Sequence, residues 1–224
     1  MLFRSKIYLD VIKFSRYLKK ELEFLIPILF KDQIIQLIKD EANASLNATI
    51  DFGEADLTFI STFPNLTLSI DDLSIKGKDE FENVTLAQIK NTTVKLDFLQ
   101  ALAGDQYQVD EIYLTEPILN VVVLKNGKAN YDIAISDSTI VEEDIEPSAF
   151  KFALEHYEII NGDVTYDDRY YATFIHLTEL NHAGNVIIDD VVYTLNTTTA
   201  TKGLTFGYDG FNYLTQSIAD IKCD

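Results

Sequence analysis

An Asn-Gly pair set between two strand-like runs constrains this chain more than any other feature. From Pro117 to Ile133 it reads PILNVVVLKNGKANYDI: the β-branched run Val121, Val122 and Val123 meets Asn126-Gly127, and extended character resumes at Tyr131. Both central positions of a type I′ turn need positive φ, which Asn-Gly tolerates, so a β-hairpin is predicted here. Alternation of period two recurs elsewhere. Leu66, Leu68 and Ile70 oppose Thr67 and Ser69, while Val94, Leu96 and Phe98 oppose Thr93, Lys95 and Asp97. Val164 with Tyr166, Val186 with Ile188, and Leu204 and Phe206 with Tyr208 repeat it. Such strands build a sheet with one apolar and one polar face. Short connections at Lys76-Gly77-Lys78, Asn126-Gly127, Asn161-Gly162 and Asp209-Gly210 suit antiparallel meanders.

At 224 residues the chain is long enough for one large or two modest domains. Its 12 Tyr and 14 Phe, with no Trp, favour pleated sheet. A net charge of −18 excludes a phosphate-backbone partner, because such binding needs Lys and Arg to neutralise phosphates; no nucleic acid is expected. The charge is uneven: Arg4, Lys6, Lys13, Arg16, Lys19 and Lys20 against Asp10 leave a basic start before an acidic body, the pattern either of an ordinary exposed helix carrying surface lysines or of a positive-inside anchor. Cys223 stands alone, so neither an intramolecular disulfide nor a cysteine metal site is available. Asn-x-Ser/Thr triplets at Asn43, Asn47, Asn65, Asn83, Asn91 and Asn196 are read as chance matches in a Thr-rich β-protein.

No catalytic constellation is expected. His156, His176 and His182 are scattered, with His182 in a turn-like ELNHAG, and Asp163, Asp167 and Asp168 lack the spacing of a calcium loop. Neither a nucleophile elbow nor a phosphate-cradling glycine loop occurs. The chain therefore reads as a non-enzyme without cofactor or metal.

Around the strands, Ile34, Leu37, Ile38, Ala42 and Leu46 line one face of a helix from Asp32, a candidate N-cap, to Leu46. A spanning helix needs about twenty apolar residues. Only Phe24 to Phe30 is free of charge, so residues 1–30 read as an amphipathic helix or an anchor remnant. Leu99 to Val109 suggests a short helix or turn, and Ser136 to Pro147, carrying Asp137, Glu142, Glu143, Asp144 and Glu146, reads as a solvated acidic linker. The expected organisation is thus residues 1–30, a helix plus sheet over 31–135, a linker over 136–148, and continuing sheet over 149–224.

The order of these segments resembles the AsmA family of Gram-negative envelopes, in its Bacteroidetes-type form. The match runs from LFKDQIIQLIKDEANASLNATIDFGEADLTFISTFPNLTLSIDDLSIKG, with its Phe63-Pro64-Asn65 corner, through Glu116-Pro117, the Gly127 turn and Asn130-Tyr131-Asp132, to INGDVTYDD at Ile160 to Asp168. Tyr131 stands where many members have Trp, and the N-terminal anchor is incomplete. The resemblance implies an α+β, mainly β protein: a curled antiparallel sheet forming an apolar groove, with one or two N-terminal helices. It further implies kinship with bridge-like lipid-transfer proteins, phospholipid acyl chains as partner, and a periplasmic location anchored to the inner membrane. The groove candidates are Leu66, Leu68, Ile70, Val94, Leu96, Phe98, Val121, Val123, Val164 and Tyr166. The rival expectation is a secreted or surface β-sandwich whose apolar faces form a closed, dry core.

Overall fold

The computed structural model describes residues 31–58, 65–97, 109–133, 152–189 and 192–223. Within them lie helix α1 (Lys31–Ser45) and nine strands. The strands are β1 (Ala48–Asp51), β2 (Ala55–Thr58), β3 (Asn65–Gly77), β4 (Thr85–Asp97), β5 (Val109–Val123), β6 (Phe152–Asp168), β7 (Thr173–Asp189), β8 (Val192–Tyr208) and β9 (Phe211–Cys223). All nine belong to one sheet in the order β1-β3-β4-β5-β6-β7-β8-β9, with β2 also on β3. The sheet is curled and does not close on itself, as the fold class expected. A sandwich would need a second sheet, and the described strands supply none.

One pairing departs from an antiparallel meander. β5 and β6 run parallel, in register from Glu111 opposite His156 to Val123 opposite Asp168. Parallel neighbours need a crossover that carries the chain back along the sheet. Residues 124–151 supply it. The expected acidic linker falls in that crossover and, like residues 1–30, Phe98 and the stretch after Leu99, lies outside the described residues. Val109 opens β5.

Long strands keep a single apolar face only because each shifts phase once. In β3 that face runs Leu66, Leu68 and Ile70, then resumes after three residues, not two, at Leu73 and Ile75. The same three-residue step separates Ile89 from Thr92, Leu114 from Pro117, Ile159 from Gly162, Leu177 from Leu180, Thr201 from Leu204 and Leu214 from Ser217. Cross-strand register aligns these steps into one line across β3 to β9. Five contain a non-glycine residue at positive φ: Asp72 (53°), Glu116 (48°), Asn161 (55°), Glu179 (49°) and Gln216 (49°). A left-handed residue resets the pleat; without it, every apolar side chain beyond the step would turn to the opposite face. Each such residue costs about 1–2 kcal/mol, offset by keeping its strand's second half on the apolar side.

The turns differ in detail from the expected ones. Asn161-Gly162 is no turn: it lies inside β6 at the phase step, where a Cβ on Gly162 would meet Ile159 Cγ2 at 2.9 Å and Pro117 Cγ at 3.3 Å. At Asn126-Gly127 only Gly127 has positive φ (83°). Gly127 N–H donates to Leu124 O (2.8 Å) and Leu124 N–H to Lys128 O (2.8 Å), so a type I turn followed by a glycine bulge replaces the expected type I′, and past it only Ala129 bridges to Val123: the strand expected to resume at Tyr131 does not form. The type I′ geometry belongs to Asp209-Gly210, where both φ values are positive, between paired Tyr208 and Phe211.

At its N-terminal edge the sheet is tied to α1, in which Asp32 stands within the helix and not ahead of it as a cap. Asn43 acts as a surrogate strand: its amide donates to Ile50 O (2.9 Å) and accepts from Ile50 N–H (2.8 Å). Both hydrogen bonds occupy β1's outer edge.

Candidate functional site, the apolar face of an open sheet

Register assembles the face row by row. One row holds Leu68, Val94, Ile112 and Tyr157; the next holds Ile70, Thr92, Leu114, Ile159 and His182. Past the phase step come Leu73, Ile89 and Pro117 with Gly162 and Leu180, then Ile75, Ala87, Leu119, Val164, Leu177 and Leu204. Val121, Tyr166, Ile175 and Phe206 follow. Of the sequence candidates, Leu66, Leu68, Ile70, Val94, Leu96, Val121, Val123, Val164 and Tyr166 all share this face, while Phe98 lies outside the described residues. Leu68, Ile70 and Val123 are buried and the other six half-buried.

Sequence reasoning passed over Ile89, Leu119, Ile175, Leu177 and Leu180, because the alternation that marks them is out of phase with the segment beyond the step. Beyond contacts between neighbouring strands, the substantial packing among described elements is that of α1 on β1 and β2. Leu68, Ile70, Ala87, Ile89, Pro117, Val123 and Leu180 are buried in this face, and the other apolar side chains of these rows are half-buried.

The opposite face is polar and networked. Lys95 Nζ meets Glu111 Oε2 at 2.5 Å and the Tyr113 hydroxyl donates to the same oxygen at 2.6 Å. The Lys95 hydrogen bond holds the Glu111 carboxyl below the usual range, and Glu111 in turn pushes the Tyr113 hydroxyl up to about 12. Asn91 donates to Ser69 (2.9 Å) and Asp71 (2.7 Å), and His176 Nε2 lies 2.9 Å from Asp163 Oδ1. His156 stands 3.6 Å from Glu158. No group of His, Cys, Asp or Glu able to hold a metal occurs among the described residues.

His182 is the exception among the histidines. It sits in β7, not in a turn, and on the apolar face, with Tyr157 Oη 3.1 Å from Nε2 and Thr199 Oγ1 2.7 Å from Nδ1. Burial pushes its pKa down and that of Tyr157 up. Burial thus favours the neutral form of each, as an apolar face does.

The segment that follows the Asn126-Gly127 turn explains the Asn-aromatic-Asp motif. Asn130 is among the largest fully buried side chains. Its Oδ1 accepts from Val122 N–H (2.8 Å), its Nδ2 donates to Asn120 O (2.6 Å), and its own N–H donates to Val122 O (3.0 Å). β4 pairs with β5 only as far as Ala87 opposite Leu119, so Asn130 continues the ladder where the neighbouring strand stops. Ile133 O then accepts from Asn47 N–H (2.7 Å), tying the crossover to the start of β1.

This arrangement agrees with comparison to known families: the AsmA family model matches residues 22–202. The chain belongs to the AsmA family. No curated protein matches it. AsmA membership is consistent with envelope biogenesis or lipid transport in general, and with an envelope-associated, periplasmic location. Among the described residues of this AsmA protein, no helix is long and apolar enough to cross a membrane.

The β6–β7 turn at the end of the face is organised by Asp168. Its Oδ1 accepts from Tyr171 N–H (2.8 Å) and Tyr170 N–H (2.9 Å), and the Tyr166 hydroxyl donates to Oδ2 (2.8 Å). These bonds, led by that from Tyr171, hold its pKa below the usual carboxylate value despite opposing desolvation. A depressed folded pKa contributes stability above the unfolded value, about 3.9, which is lost as pH falls through the folded one. Amide-exchange protection at Tyr170 and Tyr171 is thus expected to stay constant above about pH 5 and to collapse below about pH 4. In Asp168→Asn the protection should not change over that range; an unchanged acid response in this variant would exclude Asp168 as its origin.

Proposed function

We propose that the apolar face takes the acyl chains of phospholipids and shields them while they move through the aqueous envelope space, between inner and outer membranes or toward outer-membrane assembly. The observation that carries this reading is one continuous apolar face left half-exposed on a curled, unclosed sheet. Drawing about fifteen methylenes into water costs on the order of 12 kcal/mol at roughly 0.8 kcal/mol each. A face lined by Ile75, Leu119, Val164, Leu177 and Leu204 removes most of that barrier and leaves the head group in water. Eight strands side by side, at about 4.8 Å each, span roughly 40 Å, the thickness of one membrane with its head groups. On this reading residues 31–135 and 149–224 act as one lipid-holding unit, anchored to the inner membrane through the segment preceding α1.

Purification without detergent followed by lipid mass spectrometry tests the reading. Phospholipid should accompany the protein in near-stoichiometric amount. A lipid-free protein that also fails to take up a fluorescent fatty-acid probe would rule it out.

A further inference from the structure

One end of the sheet carries a cluster of exposed aromatic side chains, some ending the apolar face and others in the turn beyond it. The final cross-strand row there is Val123, Asp168, Thr173, Tyr208 and Phe211. Tyr208 and Phe211 stand on that row, Tyr170 and Tyr171 in the turn beyond it, Tyr213 farther into β9 with its ring 6.0 Å from Phe206, and Tyr131 after the Asn126-Gly127 turn alongside β5; each is 50–70% exposed. These rings are held in place. Asp168 accepts the Tyr170 and Tyr171 amides, Asp209 N–H donates to Ala172 O (2.9 Å) to join the two turns, and the Tyr170 and Tyr171 rings pack edge to face at 4.7 Å.

We infer that this rim docks into the head-group layer of a zwitterionic bilayer. Tyrosine suits that layer because its ring is apolar and its hydroxyl polar, the combination that concentrates aromatic residues where hydrocarbon meets water. Charge points to the lipid class. Arg169 is paired with Asp167 (2.8 Å) and Lys128 with Glu80 (3.0 Å), and Asp132 and Asp209 more than balance Lys125 on this rim. The body as a whole is acidic. Attachment therefore comes from ring partitioning and not from attraction to anionic lipid. Tyr208 and Phe211 continue the row of Val123, whereas Tyr170 and Tyr171 lie in the β6–β7 turn beyond it, so loss of these two tests docking apart from tail-holding.

The chain has no Trp, so Tyr171→Trp in the full chain provides a single reporter. With phosphatidylcholine vesicles its emission should shift to the blue and be quenched by lipids brominated near the glycerol. Raising salt from about 0.1 to about 0.5 M should leave binding unchanged. The double variant Tyr170→Ser, Tyr171→Ser, exposed turn positions whose loss spares the fold, should lower vesicle binding at least tenfold while keeping its co-purified phospholipid. Reporter emission unmoved by vesicles, including flotation carried by residues 1–30 alone, would overturn the inference. So would binding that requires anionic lipid, or self-association that the double variant abolishes in the absence of vesicles.

Discussion

Asn130→Ala is expected to lower stability by about 3 kcal/mol, an unusually large loss for one polar residue. The substitution leaves Val122 N–H and Asn120 C=O without partners inside the protein, each worth about 1–3 kcal/mol when buried and unsatisfied. It also opens a void where the amide was packed. For a domain of this size the melting temperature should fall by about 6–12 °C. A denaturant titration reads the same loss as a lower midpoint at unchanged slope. Asn130→Asp separates hydrogen bonding from volume. The carboxylate still accepts from Val122 but now faces the Asn120 carbonyl with no proton to donate. Burial and that carbonyl raise the folded pKa of the new acid, so the variant should recover stability as pH falls through the raised value and lose it again above. A variant as stable as the parent at pH 7 would show that Asn130 does not close the ladder.

That residue also shows how much was legible beforehand. The run of strands and the single apolar face were readable, because period-two alternation survives within each half-strand; the turn at Asn126-Gly127 was too, but not that the chain past it makes only one bridge, Val123 to Ala129, and no second strand. Asn130 was noticed only as part of a motif; nothing in the local pattern said that its amide would stand in for a strand. The phase steps were hidden for a related reason. Asp72, Glu116, Asn161, Glu179 and Gln216 adopt left-handed backbone inside long strands, and polar residues at such positions look like punctuation in a linear reading. Asn161-Gly162 therefore resembled a turn between two short strands, when it is the bend within one long strand. The parallel β5–β6 pair was equally invisible, since strand direction is decided by a crossover whose residues carry no periodic signal. His182 looked exposed because ELNHAG contains turn residues, although its register places it beside Ile159 and Thr199.

The phase steps give the sheet its functional asymmetry, and two adjacent residues of β6 test it. Val164 lies opposite Leu119 and Leu177 on the apolar face, and Thr165 lies opposite Asn120 and His176 on the polar one. Both are half-buried. Val164→Asp and Thr165→Asp therefore add the same charge to the same strand at nearly the same exposure. If acyl chains lie along the Val164 side, a carboxylate there must be kept among hydrocarbon, at a cost of about 3 kcal/mol on insertion scales. That corresponds to roughly a hundredfold weaker lipid binding. Val164→Asp should thus lose nearly all co-purifying phospholipid while remaining folded by circular dichroism. Thr165→Asp should keep it, because its carboxylate faces water and the polar network around Asp163 and His176. Equal lipid content in the two variants would mean that the two faces are equivalent toward lipid, and the tail-holding role would then have to be abandoned.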